Sequence, residues 1–157
     1  MRPPELITTA AALNELAATL NEQPVVAVDT ESNSLHAFQE QVCLLQFSIP
    51  ERDILVDPIA LDDLSPLAAV FANPAVEIIF HAAEYDVLTL KRDFDFRFAN
   101  LFDTMLAARI VGRKRFGLGS LIEEEFGIKL QKKYQRADWG KRPLSDDLIA
   151  YARLDTH

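Results

Sequence analysis

Val25-Val26-Ala27-Val28 runs without a break into Asp29-Thr30-Glu31. Four apolar residues, three of them β-branched, show no polar alternation, which predicts a central strand buried on both faces. Before it, Thr8 or Thr9 is placed to cap a helix running to about Leu20, with Leu13, Leu16, Ala17 and Leu20 on one face. After it, Val42–Ile49 and 54–56 read as two strands separated by the turn residues Pro50-Glu51-Arg52-Asp53. A short helix over 61–71 ends at Asn73-Pro74, a strand follows at 76–80, and a helix at 84–92. Residues 98–102 give a fifth strand, with Asp103 capping a helix towards Val111. The remainder is helical in character, over Leu118–Phe126 and again over 145–157, where Asp146 and Asp147 suit a first turn. This order predicts an α/β fold, an antiparallel portion followed by parallel crossovers.

At 157 residues the chain suits one domain, 1–157. It stops inside the last predicted helix without a C-cap signal, so a longer parent protein is expected. No apolar run approaches the roughly 18 residues of a membrane span, and a single cysteine, Cys43, fits a reducing cytoplasm. The net charge of −8 argues against a nucleic-acid partner, yet its distribution does not. Residues 109–142 hold ten Lys/Arg against four Asp/Glu, so the rest of the chain carries the acidic excess. Such asymmetry lets an acidic protein present one basic face, in which Lys132, Lys133 and Arg136 are the candidate phosphate contacts; solvated helix charges are the plainer alternative.

Asp29 and Glu31, two residues apart at the end of a buried strand, project from one face. Ligands of open α/β sheets bind beyond such strand ends. Asp86 lies on the helix that follows the fourth strand, and Tyr151 and Asp155, four residues apart, share one face of the last helix. Gathered carboxylates repel one another, and hard divalent cations such as Mg²⁺ or Mn²⁺ relieve that repulsion. Taken singly, an Asp after a strand serves equally as a turn or cap residue and Asp86 as a solvated helix residue, so spacing alone leaves both readings open.

Three motifs in order are more specific. Val26-Ala27-Val28-Asp29-Thr30-Glu31, His81-x₄-Asp86-x₃-Leu90 and Tyr151-Ala152-Arg153-Leu154-Asp155 are joined by Gln135-Arg136-Ala137-Asp138-Trp139-Gly140-Lys141-Arg142-Pro143-Leu144. Together they resemble the ribonuclease D branch of the DEDD exonuclease superfamily, with Ala137 where that branch usually has Ser. Tyr151 in the third motif, with Ala150 where the other branch carries His, resembles the tyrosine subclass.

The resemblance implies a ribonuclease H-like fold, a mixed five-stranded sheet flanked by helices. It implies a 3′→5′ exonuclease acting on single-stranded 3′ ends of RNA and releasing nucleoside 5′-monophosphates. A DNA exonuclease and a non-catalytic nucleic-acid-binding module are the alternatives, the latter disfavoured by the intact residue set. By the same resemblance two divalent cations, Mg²⁺ or Mn²⁺, are bound: Asp29 bridges them, Glu31 and Asp155 complete the first site, and Asp86 reaches the second. Tyr151 then hydrogen-bonds the nucleophilic water. His81 is expected to be structural, Asp103 a helix cap, His36 and Glu123–Glu125 solvated, and Trp139 a packing residue.

Overall fold

In the computed structural model, which describes residues 3–131 and 133–157, six strands form one mixed sheet in the order β1-β4-β3-β2-β5-β6. The strands are β1 (Glu5–Ile7), β2 (Val25–Ser32), β3 (Val42–Ile49), β4 (Arg52–Val56), β5 (Glu77–Phe80) and β6 (Leu101–Asp103). β2, β3 and β4 pair antiparallel, whereas β5 and β6 extend the sheet in parallel from β2, as does β1 from β4 at the other edge. The helices are α1 (Ala10–Asn21), α2 (Ser65–Phe71), α3 (Glu84–Phe94), α4 (Thr104–Ile110), α5 (Leu118–Phe126) and α6 (Asp146–Ala152).

Alternation along β2 divides the molecule. Val26 and Val28 face the main core with Phe47, Ile54 and Ile78, under Leu13, Leu16 and Leu20 of α1 and Leu67 and Phe71 of α2. On the opposite face Leu44 and Leu55 pack against Trp139, Leu144 and Ala152. β2 is therefore covered on both sides, as its unbroken apolar run requires.

The sheet has one strand more than expected. β1 contains a single buried residue, Ile7, too short a signal for any periodicity, and it is held by pairing with β4 and by an Arg52–Glu5 ion pair of 2.9 Å. Three other elements shift. β2 continues through Asp29 and Glu31 to Ser32 instead of stopping at Val28, because β3 pairs with it that far. α2 starts only at Ser65, with Pro66 at its first turn. The last helix ends at Ala152 and tightens into a 3₁₀ turn over Arg153–Asp155. Thr9, Asp103 and Ser145 cap α1, α4 and α6 with side-chain acceptors. No helix among the described residues is long and apolar enough to cross a membrane.

Candidate active site

Asp29 and Glu31 stand on the same face of β2, opposite Gln46 and Leu44 of β3. Thr30, between them, points to the other side, where its hydroxyl donates to Asp86 Oδ1 at 2.5 Å. Asp86 is 7% exposed and belongs to the first turn of α3. The start of that helix is set by an unusual turn. Ala82 takes a left-handed conformation (φ 63°), which costs a residue with a β-carbon roughly 1–2 kcal/mol. Asp103 offsets this by accepting from the N–H groups of Ala82 (3.1 Å) and Ala83 (2.9 Å) while also capping α4. Its cap role is thus doubled, joining two helix starts.

Tyr151 and Asp155 are brought to the same face by the second apolar cluster. Trp139 is buried against Tyr151 with ring centroids 6.2 Å apart, and the chain between them is fastened by Arg142. Its guanidinium donates to both Asp57 oxygens, and to the carbonyls of Trp139 and Cys43, each at 2.7 Å. Past Asp155, Thr156 and Ser48 share a 2.8 Å hydrogen bond. The 3₁₀ turn is thereby held down on β3.

The carboxyl groups feel one another. Burial and then the charges of Asp86 and Asp155 push Asp29 well above the ordinary carboxylate range. Burial, followed by Asp29, Asp155 and Asp86, raises Glu31 to about 9. Burial raises Asp155 to about 6, and it also raises Asp86 against the opposing hydrogen bond from Thr30. Tyr151 is shifted up by burial and by Asp155, Glu31 and Asp29, so the phenol keeps its proton at neutral pH. Among the described residues no three His, Cys, Asp or Glu side chains stand close enough to enclose an ion as they are placed. Yet an all-oxygen set of mutually repelling, partly buried carboxylates is the donor chemistry that suits a hard divalent cation. Asp29, Glu31, Asp86, Tyr151 and Asp155 lie near enough for their charges to be felt among them, and the carboxylates fit such an ion in charge and ligand type.

Gln46 escaped the sequence reading. It is fully buried opposite Asp29, and its amide bears on Glu31 in the direction that favours ionisation, yet neither amide atom completes a hydrogen bond of ordinary geometry. A lone glutamine inside the apolar run of residues 42–47 was the available signal. The other buried unpartnered polar atom among the described side chains, Trp139 Nε1, lies on the same face of the sheet.

A cavity of about 640 Å³ opens beside Tyr151 and Asp155, with His81, Arg115, Lys129 and Gln135 among its walls. Arg115 and Lys129 both pair with Glu123, at 3.3 and 3.6 Å, so Glu123 organises the basic wall instead of being merely solvated. Lys133 and Arg136 are exposed in the turn beside Gln135 and do not line this cavity; Lys132 lies outside the described residues. His36 is not free either, since its Nε2 lies 3.1 Å from the Arg136 carbonyl. A larger groove of about 970 Å³, between α3, β6 and α4, is lined mainly by apolar residues and contains none of the four carboxylates.

Known proteins share this fold. A family model described as 3′-5′ exonuclease matches residues 4–157. Protein RRP6-like 3 of Arabidopsis thaliana is 42% identical over 152 residues, covering 96% of this chain and 17% of that protein. The exosome complex exonuclease RRP6 of Saccharomyces cerevisiae is 40% identical over 155 residues, 98% of this chain and 21% of its own length. The chain thus spans about a fifth of these relatives. Among solved structures, the catalytic core of RRP6 from Trypanosoma brucei superposes with a TM-score of 0.93 at 34% identity, over 98% of this chain and 43% of that one. RNase D of Escherichia coli, an exoribonuclease involved in structured RNA processing, superposes at 0.92 with 32% identity, over 99% of this chain and 42% of its own. With sequence match and fold agreeing along the whole described length, the chain belongs to the 3′-5′ exonuclease family, as a ribonuclease D-like domain.

Proposed function

We propose that residues 1–157 are the catalytic domain of an exoribonuclease that removes nucleoside 5′-monophosphates one at a time from single-stranded 3′ ends. The observation that carries this reading is that Asp29 and Glu31 are buried and feel the charges of Asp86 and Asp155, with Asp155 and Tyr151 in the wall of a nucleotide-sized cavity. Asp29, Glu31, Asp86 and Asp155 would hold two divalent cations, Mg²⁺ or Mn²⁺. When bound, such ions acidify water and neutralise charge on the leaving oxygen. The protein's own work is positional. Tyr151, kept as a neutral phenol, orients the attacking water by hydrogen bonding and does not serve as its base. Arg115 and Lys129 supply positive charge for the backbone phosphates, and Lys132, Lys133 and Arg136 extend it along the strand. The buried free thiol of Cys43 accords with a reducing, cytoplasmic setting.

The test is a digestion series on end-labelled RNA and DNA with Mg²⁺, with Mn²⁺ and with chelator. Single-nucleotide ladders from the 3′ end of RNA, abolished by chelator, are expected. Cleavage of circular single strands, or undiminished activity in chelator, would overturn the reading.

A further inference from the structure

His81 is joined to the rest of the protein in a way that fixes which of its nitrogens carries the proton. Its Nδ1 lies 2.9 Å from Thr104 Oγ1, and the same hydroxyl lies 3.2 Å from the carbonyl oxygen of Phe80. A carbonyl can only accept, so the single hydroxyl proton of Thr104 is committed to Phe80. The hydroxyl oxygen must then accept from His81, which puts the ring proton on Nδ1 and leaves Nε2 as a bare acceptor in the neutral ring. Burial favours that neutral ring, against the opposing charge of Asp103. Nε2 has no hydrogen-bond partner among the described residues, and the ring forms part of the wall that it shares with Tyr151 and Asp155.

The rest of that wall explains what Nε2 is for. Arg115 and Lys129 are donors suited to phosphate, and Glu123, the other acidic acceptor beside Asp155, is already paired with both. A 3′-terminal nucleotide brings phosphate oxygens, which need donors, and sugar hydroxyls, which need an acceptor. We infer that His81 Nε2 accepts a hydrogen bond from a ribose hydroxyl of the 3′-terminal nucleotide, making His81 a specificity determinant of the site. This rests on the exonuclease reading given above. A 2′-hydroxyl contact makes His81 a selector of RNA over DNA, and a 3′-hydroxyl contact makes it a sensor of the free end.

Three 5′-labelled RNA oligonucleotides test this, ending in a ribo-, a 2′-deoxy- or a 3′-deoxynucleotide. They are compared for kcat/KM in Mg²⁺ and for binding by fluorescence anisotropy in Ca²⁺. The wild-type chain should prefer the ribo end over one of the two deoxy ends by roughly tenfold, about the worth of one hydrogen bond. His81→Phe should bring that ratio close to one by weakening the ribo end only, and His81→Gln, which keeps an accepting oxygen, should restore part of it. Nitrogen chemical shifts should show the proton on Nδ1. An unchanged ratio in His81→Phe, an equal loss on all three ends, or a proton on Nε2 would overturn the inference. If the wild type cleaves none of the three, the exonuclease reading fails, while the anisotropy ratios still decide the role of His81.

Discussion

Arg142 and Asp57, 85 residues apart, meet in a two-pronged contact in which Nε and Nη2 each donate to a different carboxylate oxygen at 2.7 Å. The remaining guanidinium protons go to the carbonyls of Cys43, Trp139 and Lys141. This one side chain fastens the approach to α6 onto β3 and β4, and α6 in turn presents Tyr151.

Removing it should be costly. Arg142→Ala leaves Asp57 as a buried carboxylate with its strongest partner gone, so unfolding free energy is expected to fall by about 3 kcal/mol in urea titrations. Arg142→Lys should recover only part of the loss, because an ammonium cannot reproduce the fork. A loss under ~0.5 kcal/mol for the alanine variant would show that the pair does not hold the segment down.

Acid stability should report the same contact. Burial alone would raise Asp57, but the Arg142 guanidinium and the N–H groups of Ile59 and Ala60 hold it below the usual carboxylate range. A depressed folded-state pKa gives stability that is complete above the ordinary value near 3.8 and is lost as pH falls through the lower folded value. Asp57→Asn should therefore be less stable than wild type at neutral pH, with the gap closing below about pH 4. A gap independent of pH would assign the effect to packing instead of charge.

Divalent ions should stabilise the chain by relieving the carboxylates. Burial and mutual repulsion raise Glu31 to about 9, and burial raises Asp155 to about 6, so ionising them opposes folding, and the ion-free protein should lose stability as pH rises from the ordinary carboxylate range up to those values. Mg²⁺ or Mn²⁺ should raise Tm more at pH 8 than at pH 5.5, since the ligands must give up protons to bind. Asp29→Asn should abolish this gain and lower exonuclease turnover by ~10³-fold or more. A Tm gain that survives in Asp29→Asn would move the ion elsewhere.

Tyr151→Phe separates positioning from ion binding. Its ring stays packed on Trp139 and Tyr134, so the fold and the ion-induced rise in Tm should be kept. Turnover should fall by roughly 10- to 10³-fold through the lost orientation of water. Recovery of full turnover on raising the metal concentration would mean that the phenol supports the ion instead.

Reversing the charges of Lys132, Lys133 and Arg136 together should weaken nucleic-acid binding regardless of sequence. The slope of log affinity against log salt should flatten by up to ~0.7 per lost single-strand contact. Lys133 and Arg136 are exposed and outside the cavity wall, so turnover at saturating substrate should change little. An unchanged slope would return these charges to plain solvation.

What could be read from the chain alone follows a physical divide. β2 and the caps at Thr9 and Asp103 were legible because each rests on local pattern, whereas the five candidate site residues came from three ordered motifs, spacing alone having left them open. β1 was not, since three residues with one buried side chain owe their conformation to β4. Gln46 was passed over because a neutral amide carries no charge to flag it, although its burial opposite Asp29 does so at once. The 3₁₀ ending of α6 depends on the grip of Ser48 on Thr156, a contact 108 residues long. The Glu123 bridge to Arg115 and Lys129 is local, but it depends on the irregular segments on either side of α5, which carry no periodicity to read.

Because Asp29 and Glu31 face one side of β2 while Thr30 grips Asp86 on the other, the whole set depends on a single parity along one strand. A slip of one residue against β3 would not yield a sluggish variant. It would drive two carboxylates into the apolar layer beneath α1 and α2 and turn Val28 out towards Tyr151. Mispaired chains are thus penalised in folding before they can ever be poor catalysts, and quality control over the strand register doubles as quality control over the chemistry.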